Sequence, residues 1–133
     1  MEYKNNVVFK IDLDYMRTRQ AERLIKFRIN WIDYYFHILP AKVSYYRTHK
    51  GMHVYIMPMN EVNLPLEYIT FIQLALGSDW LREIRNLNRL YTGTITNWNL
   101  LFNKKFKMNK DGTIENISKE IFVKRYVIKP QKR

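Results

Sequence analysis

The sequence predicts an α+β fold class, with a mostly antiparallel sheet and helices packed on one of its faces. Three observations predict it: a strictly alternating apolar stretch near the N-terminus, a helical apolar period directly after it, and two short alternating stretches around a glycine-containing turn. Along the chain the expected order of elements is β, α, β, β, α, α, β, β, β. Because the helices cover one face, the other face of the sheet is expected to be partly open.

Length, charge and cysteine content limit the classes of protein to which the chain can belong. Its 133 residues suffice for one core, so we expect a single domain over residues 1–133, ending in a short basic tail at residues 129–133. The formal net charge of +11 favours a polyanionic partner, nucleic acid before an acidic membrane surface. Cysteine is absent, which excludes disulfides and thiolate zinc sites and fits a cytoplasmic location. No apolar run approaches about 18 residues, so no membrane span is expected.

The first expected strand, residues 7–14, carries two acids on one face. Its apolar residues alternate strictly, so Asp12 and Asp14 should point away from the core. From the rise per strand residue, their Cα atoms are expected about 6–7 Å apart. That spacing suits two carboxylates that share one or two hard cations, and it is also common for two solvated acids at a strand end.

A helix should follow from about residue 15 to residue 37, because apolar residues recur there at steps of three and four. Asp14 either caps this helix or directly precedes it, and Pro40 marks its end. The apolar stripe of the helix is expected to comprise Ala21, Leu24, Ile25, Ile32, Tyr35, Phe36 and Leu39.

A hairpin is expected next, because residues 42–47 and 52–57 are short alternating stretches that flank a turn containing Gly51. On its second strand, the side chains expected to face the core are Met52, Val54 and Ile56.

Acids and a histidine from two strands should therefore converge on the open face of the sheet. The alternation of the second hairpin strand places His53 and Tyr55 opposite its core side chains. The alternation of the first strand does the same for Asp12 and Asp14. We expect these four side chains to share the face that the helices leave uncovered.

Two further helices are expected at residues 66–76 and 80–91, and Ser78 or Asp79 would cap the second of them. The inward side of this last helix should consist of Leu81, Ile84, Leu87 and Tyr91. Its positive side should consist of Arg82, Arg85 and Arg89, which are candidates for nucleic-acid contacts together with Tyr55. Strands are expected at residues 98–108, 113–117 and 121–128, with a tight turn at residues 109–112.

The order of these motifs resembles the catalytic core of the archaeo-eukaryotic primase (primase-polymerase) superfamily. Its first motif, an apolar strand that ends in Asp-hydrophobic-Asp, is matched by Ile11-Asp12-Leu13-Asp14. Its second motif, a small residue and a histidine separated by one residue at a strand start, is matched by Gly51-Met52-His53. The resemblance covers roughly the first half of the chain and implies a sheet like that of the RNA-recognition motif (RRM-like).

The resemblance also implies a function, which is metal-dependent nucleotidyl transfer from a nucleoside triphosphate to a 3′-hydroxyl on a template. Asp12 and Asp14 would hold Mg²⁺ or Mn²⁺, and His53 would contact the phosphates of the nucleotide. Together these three would be the catalytic residues. Arg47 and Lys50, which flank the turn at Gly51, could add phosphate contacts. The implied partners are single-stranded or template DNA, or RNA, a nucleoside triphosphate, and a replication helicase. The compactness of the chain and its lack of accessory modules favour a viral or plasmid source.

The third acid of the superfamily has no clear match in this chain. Asp79 is more simply explained as a helix N-cap, and Asp111 belongs to a tight turn. Asn86 and Asn88 stand where an acid might, but uncharged amides bind a cation more weakly. Either the site is incomplete and the protein is not a competent polymerase, or the third acid comes from elsewhere in the chain. A cysteine-bound zinc element is also missing, so what remains would be a minimal or degenerate core.

Two other functions fit parts of the sequence. A non-catalytic RRM-like protein could bind DNA or RNA by stacking bases on open-face aromatics such as Tyr46 and Tyr55. A rolling-circle replication initiator would need two histidines around one apolar residue and a tyrosine nucleophile. The chain has His53-Val54-Tyr55 at the corresponding place, so one histidine is missing, and Tyr91 is the candidate nucleophile.

Overall fold

A four-stranded antiparallel sheet forms the centre of the protein, in a computed structural model that describes residues 3–4, 7–93, 99, 106–108, 110–116 and 120–131. In chain order the elements are β1 (Tyr3–Lys4), β2 (Phe9–Asp14), α1 (Thr18–Phe36), β3 (Ala41–Arg47), β4 (Gly51–Pro58), β5 (Leu64–Pro65), α2 (Leu66–Ala75), α3 (Trp80–Thr92), β6 (Phe106–Met108), β7 (Ile114–Asn116) and β8 (Ile121–Ile128). The central sheet has the strand order β2-β4-β3-β8, and each neighbouring pair is antiparallel. The pairs β1–β5 and β6–β7 form two short antiparallel ribbons.

The first strand and the hairpin form as the alternation predicts. In β2 every second side chain is buried, from Phe9 to Leu13, because successive side chains of a pleated strand point to opposite faces. Strand β4 lies in the interior of the sheet, between β2 and β3. It begins at Gly51, where an added Cβ atom would lie 2.1 Å from the backbone oxygen of Leu13. Only glycine allows the two strands to approach so closely at this point.

One apolar core joins the buried face of the sheet to α1 and α2. Its buried members from the sheet include Phe9, Ile11, Leu13, Val43, Tyr45, Met52, Val54 and Ile56. Its buried members from the two helices include Ala21, Ile25, Ile29, Leu66, Ile69 and Ile72. The predicted fold class, an RRM-like α+β domain with a mostly antiparallel sheet and helices on one face, is therefore confirmed.

Helix α1 differs from the prediction at its start and along its outer side. It begins at Thr18, and its N-cap is Arg17 rather than Asp14, which is the last residue of β2. Its buried side contains every fourth residue from Ala21 to Asp33. The expectation that Tyr35 lies on the apolar stripe was wrong, because that residue is rotated about 200° from position 33 and is 69% exposed.

Helix α3 packs with its polar side inward, which reverses the predicted orientation. Arg82, Glu83 and Asn86 are buried, whereas Leu81 and Ile84 are about half exposed. Of the other residues expected to face inward, Tyr91 is 81% exposed and Leu87 is half-buried. The amphipathic pattern was correct, but the side assigned to the interior was wrong.

The inward side of α3 is polar because it meets the outer edge of β2. An edge strand presents backbone N–H and C=O groups that need partners when they are buried. The N–H group of Lys10 donates to Oε1 of Gln73 at 2.9 Å. The C=O group of Lys10 accepts from Nη1 of Arg82 at 3.0 Å. Polar side chains from α2 and α3 thus take the place of a further strand.

The same arrangement holds the backbone of Asp12. Its N–H group donates to Oγ of Ser78 at 3.0 Å, and its C=O group accepts from the backbone N–H of Asp79 at 2.8 Å. Oγ of Ser78 in turn donates to the carboxylate of Glu83 at 2.7 Å. The position of Asp12 is therefore fixed on both sides, by β4 and by the α2–α3 connection.

The later strands agree with the prediction where the structure describes them, except at Asn99. Strands β6 and β7 pair as the two arms of the expected turn, and β8 spans the predicted residues 121–128. Asn99 was expected in the strand at residues 98–108, and this was wrong, because Asn99 lies in a turn with a φ of 59°. The other residues of that strand before β6, and position 109 of the turn, lie outside the described residues. Within the described ranges, no helix is long and apolar enough to cross a membrane.

Candidate nucleic-acid and nucleotide site

Asp12, His53 and Glu120 form a polar chain on the face of the sheet opposite the apolar core. Asp12 and His53 are paired directly across β2 and β4. Nε2 of His53 lies 3.6 Å from Oδ1 of Asp12, and Nδ1 of His53 lies 2.7 Å from Oε1 of Glu120. The imidazole is therefore held between two carboxylates. The predicted convergence of acid and histidine from two strands is present, with an additional acid from the start of β8.

Tyr55 joins this chain through its hydroxyl group, which donates to Oε1 of Glu120. Burial, followed by the hydrogen bond to the Glu120 carboxylate, raises the pKa of the Tyr55 phenol well above its usual range. Tyr55 therefore keeps its proton at neutral pH and serves as a donor. Because the same oxygen of Glu120 is within hydrogen-bond distance of His53, Glu120 orients both side chains of β4 on this face.

Asp14 lies at the end of β2, two residues after Asp12, and is exposed to solvent. Its partner across the sheet is Gly51, which has no side chain to cover it. The carboxylate of Asp14 is therefore exposed to solvent, and it lies on the same strand face as the half-buried carboxylate of Asp12.

These acids suit a loosely held hard cation rather than a closed protein cage. Among the residues that the structure describes, no three His, Cys, Asp or Glu side chains are grouped as a metal site. Mg²⁺ commonly keeps several waters and is held by one or two carboxylates together with the phosphates of a substrate. Asp12 and Asp14, one half-buried and one open, fit that type of binding.

Three aromatic rings run across the same face, from β4 through β3 to β8. The ring centroid of Tyr46 lies 5.3 Å from that of Tyr55 and 5.6 Å from that of Phe122, both in edge-to-face geometry. Phe122 is 53% exposed, and the guanidinium of Arg125 lies 5.3 Å from its centroid. We call Tyr55, Tyr46 and Phe122 the aromatic row. Aromatic rings beside a cation are the groups that bind single-stranded nucleic acid.

The three arginines of α3 do not form a common positive surface. Arg82 is 3% exposed, pairs with Glu83 and donates to the backbone oxygen of Asn99 at 3.2 Å. Arg82 therefore does not lie on an exposed positive side of α3, because it is buried and paired with an acid. Arg85 is exposed and Arg89 is half-buried, so only these two remain available.

The acids that were considered as a third ligand have structural roles. The carboxylate of Asp79 accepts from the backbone N–H of Arg82 at 3.2 Å, which confirms its expected role as the N-cap of α3. Asp111 accepts from the hydroxyl and the N–H of Thr113, and these hydrogen bonds lower the pKa of Asp111. The further acid beside the histidine is instead Glu120.

The residues expected to bind nucleotide are divided between two places. Arg47, Lys50 and Gly51 line a cleft of about 560 Å³ at the end of the sheet. His53 does not line this cleft and lies with Asp12 on the face opposite the core, where it is only 5% exposed.

Glu120, Phe122 and Arg125 are the residues on this face that were missed from the sequence. They lie at or in β8, whose register against β3 shifts between Tyr45 and Tyr46. This irregularity interrupts the alternation from which side-chain direction is predicted. The available signal was an acid directly before an aromatic strand, which is too common to identify a site.

Comparison with known proteins gives no match, whether to a family model, to a curated protein or to a solved structure. The function must therefore be inferred from the chemistry of the site.

Proposed function

We propose that this protein binds single-stranded or template nucleic acid on the open face of its sheet and catalyses metal-dependent nucleotidyl transfer there. The substrates would be a nucleoside triphosphate and a 3′-hydroxyl, as in the primase-polymerases that the first half of the sequence resembles. The proposal rests mainly on one observation, the direct pairing of Asp12 with His53 across β2 and β4, beside the aromatic row.

Each residue has a role that its geometry supports. Asp12 and Asp14 would hold Mg²⁺ or Mn²⁺ with their carboxylates, and the cation would neutralise charge on the phosphate oxygens. Nδ1 of His53 lies 2.7 Å from Oε1 of Glu120, which leaves Nε2 on the side of Asp12. His53 is thereby oriented toward the acids, where the phosphates of a nucleotide would lie. The aromatic row would hold the bases of the template.

The direct test is primer extension by the purified protein on a single-stranded template. We expect incorporation of nucleotides when Mg²⁺ or Mn²⁺ is added and none when the cation is chelated, because phosphoryl transfer needs a cation at the phosphates. The measurement is the fraction of primer extended, with ribonucleotides and deoxyribonucleotides supplied in separate reactions. Absence of extension with either cation and either nucleotide type would refute catalysis, although it would leave binding to nucleic acid untouched.

A second candidate function is binding of single-stranded nucleic acid without catalysis. The aromatic row favours it, because edge-to-face rings with an exposed terminal Phe122 form a platform that requires no metal. The formal net charge of +11 favours it as well. In this case Asp12, His53 and Glu120 would serve only to hold the strands and β8 together.

Both candidates predict that Phe122→Ala weakens binding of an oligonucleotide. Loss of one stacked base costs about 1–3 kcal/mol, which corresponds to a Kd roughly 5- to 150-fold higher. Fluorescence anisotropy with labelled oligo(dT) measures the change. The matched control is Phe27→Ala, since Phe27 is 71% exposed on α1 and lies outside the aromatic row. Equal affinities of the two variants would show that the row does not stack bases.

A further inference from the structure

A cleft at the end of the sheet is lined by cations from two separate parts of the chain. It lies between the start of α1 and the β3–β4 turn and has a volume of about 560 Å³, within the usual range of small-ligand sites. Its charged lining residues are Arg17, Arg19, Arg47 and Lys50. His49 also lines it, and no carboxylate does among the described residues.

These four cations are not neutralised by the described part of the protein. Within it, ion pairs form elsewhere, as between Lys124 and Glu22 at 3.0 Å, but none of the four cleft residues takes part in one. Like charges that face one cleft repel each other unless an anion is bound between them. Four cations from two elements, converging without a carboxylate, therefore indicate an anionic ligand.

The start of α1 adds to the positive potential. Backbone N–H groups of the first helical turn carry partial positive charge, which acids in that turn normally offset. Helices α2 and α3 have Glu67 and Glu83 there, whereas the first turn of α1 has no acid and is flanked by Arg17. The partial positive charge at the start of α1 would thus add to the attraction of an anion by the four cations.

We propose that this cleft is a phosphate-binding site, distinct from the open face that holds Asp12 and His53. The choice of phosphate rests on the proposed function, which supplies nucleic acid or a nucleotide as the partner. Guanidinium groups suit phosphate because they donate two parallel hydrogen bonds. One wall of the cleft is Gly51, which is paired with Asp14 at the end of β2. Its source is either the backbone of a nucleic-acid strand or the triphosphate of a nucleotide.

The test compares two double variants with equal change in charge. Arg17→Gln/Arg47→Gln removes one cation from each part of the cleft, and Arg23→Gln/Lys110→Gln removes two exposed cations outside it. Calorimetry measures binding of inorganic triphosphate, and fluorescence anisotropy measures binding of oligo(dT) across a salt series. All measurements are made with divalent cations chelated, so that they do not depend on catalysis.

We expect the cleft variant to bind inorganic triphosphate at least about tenfold more weakly than the control variant if a nucleotide is the source. If a nucleic-acid strand is the source, the plot of log affinity against log salt should become shallower. Its negative slope should lose about 1.4 in magnitude, or about 0.7 for each lost phosphate contact, and the control should change less. Either result supports the site. Equal behaviour of the two variants with both ligands overturns it. These measurements involve no primer extension. Equal binding by the two variants would therefore count against the cleft, whether or not the protein catalyses nucleotidyl transfer.

Discussion

Replacing Asp12 by asparagine should lower primer extension by about 1,000-fold, equivalent to roughly 4 kcal/mol of transition-state stabilisation. The side chain keeps its size but loses the charge that would hold a divalent cation, and a neutral amide binds hard cations more weakly. Asp12 is the better of the two acids to test, because its backbone is held by Ser78 and Asp79. The substitution should therefore leave the fold intact. Oligonucleotide affinity should stay within about twofold, since the aromatic row is unchanged.

The matched control for this variant is Asp111→Asn. Asp111 is exposed in the turn between β6 and β7, so the same charge is removed away from the open face. Initial rates of extension, measured at several Mn²⁺ concentrations, distinguish loss of the cation from loss of fold. If Asp12→Asn retained more than a tenth of the wild-type rate, Asp12 would not be a metal ligand.

Arg82→Ala should lower the free energy of unfolding by about 3–5 kcal/mol, the usual cost of breaking a buried ion pair. The substitution leaves the carboxylate of Glu83 buried without its cation and removes the donor to the backbone oxygen of Lys10. It also removes the hydrogen bonds from Arg82 to Asn99. Since small domains are stable by only about 5–15 kcal/mol, the loss should be visible as a large shift in urea denaturation.

Arg85→Ala is the control for this second variant, because Arg85 is on the same helix and exposed. Its substitution should change the free energy of unfolding by no more than about 0.5 kcal/mol. A similar small effect for Arg82→Ala would mean that the polar side of α3 contributes little to stability.

The strands of the central sheet could be predicted from the sequence, because a period of two directly specifies which side chains share a face. That rule was sufficient for β2 and for the β3–β4 hairpin. It also places Asp12, Asp14, His53 and Tyr55 on one side. In the structure, the register that pairs Ile11 with Val54 in the core also pairs Asp12 with His53.

The orientation of α3 could not be predicted in the same way. A helical period shows which residues share a side, but it does not show which side meets the protein interior. The rule that apolar residues face inward failed here, because the neighbouring surface is the edge of β2 with its unpaired backbone groups. Gln73, Ser78 and Arg82 satisfy those groups, so burial of the polar side is stabilising.

The alternating pattern of β2 and of the hairpin determined which side chains share the face opposite the core, namely Asp12, Asp14, His53 and Tyr55, because side-chain direction in a strand is a local property. Glu120 and Phe122 reach that face only through the tertiary structure. β8 pairs with β3, and Glu120 thereby meets His53 from 67 residues away along the chain. Pairing between distant strands depends on how the whole chain packs, and no local period encodes it.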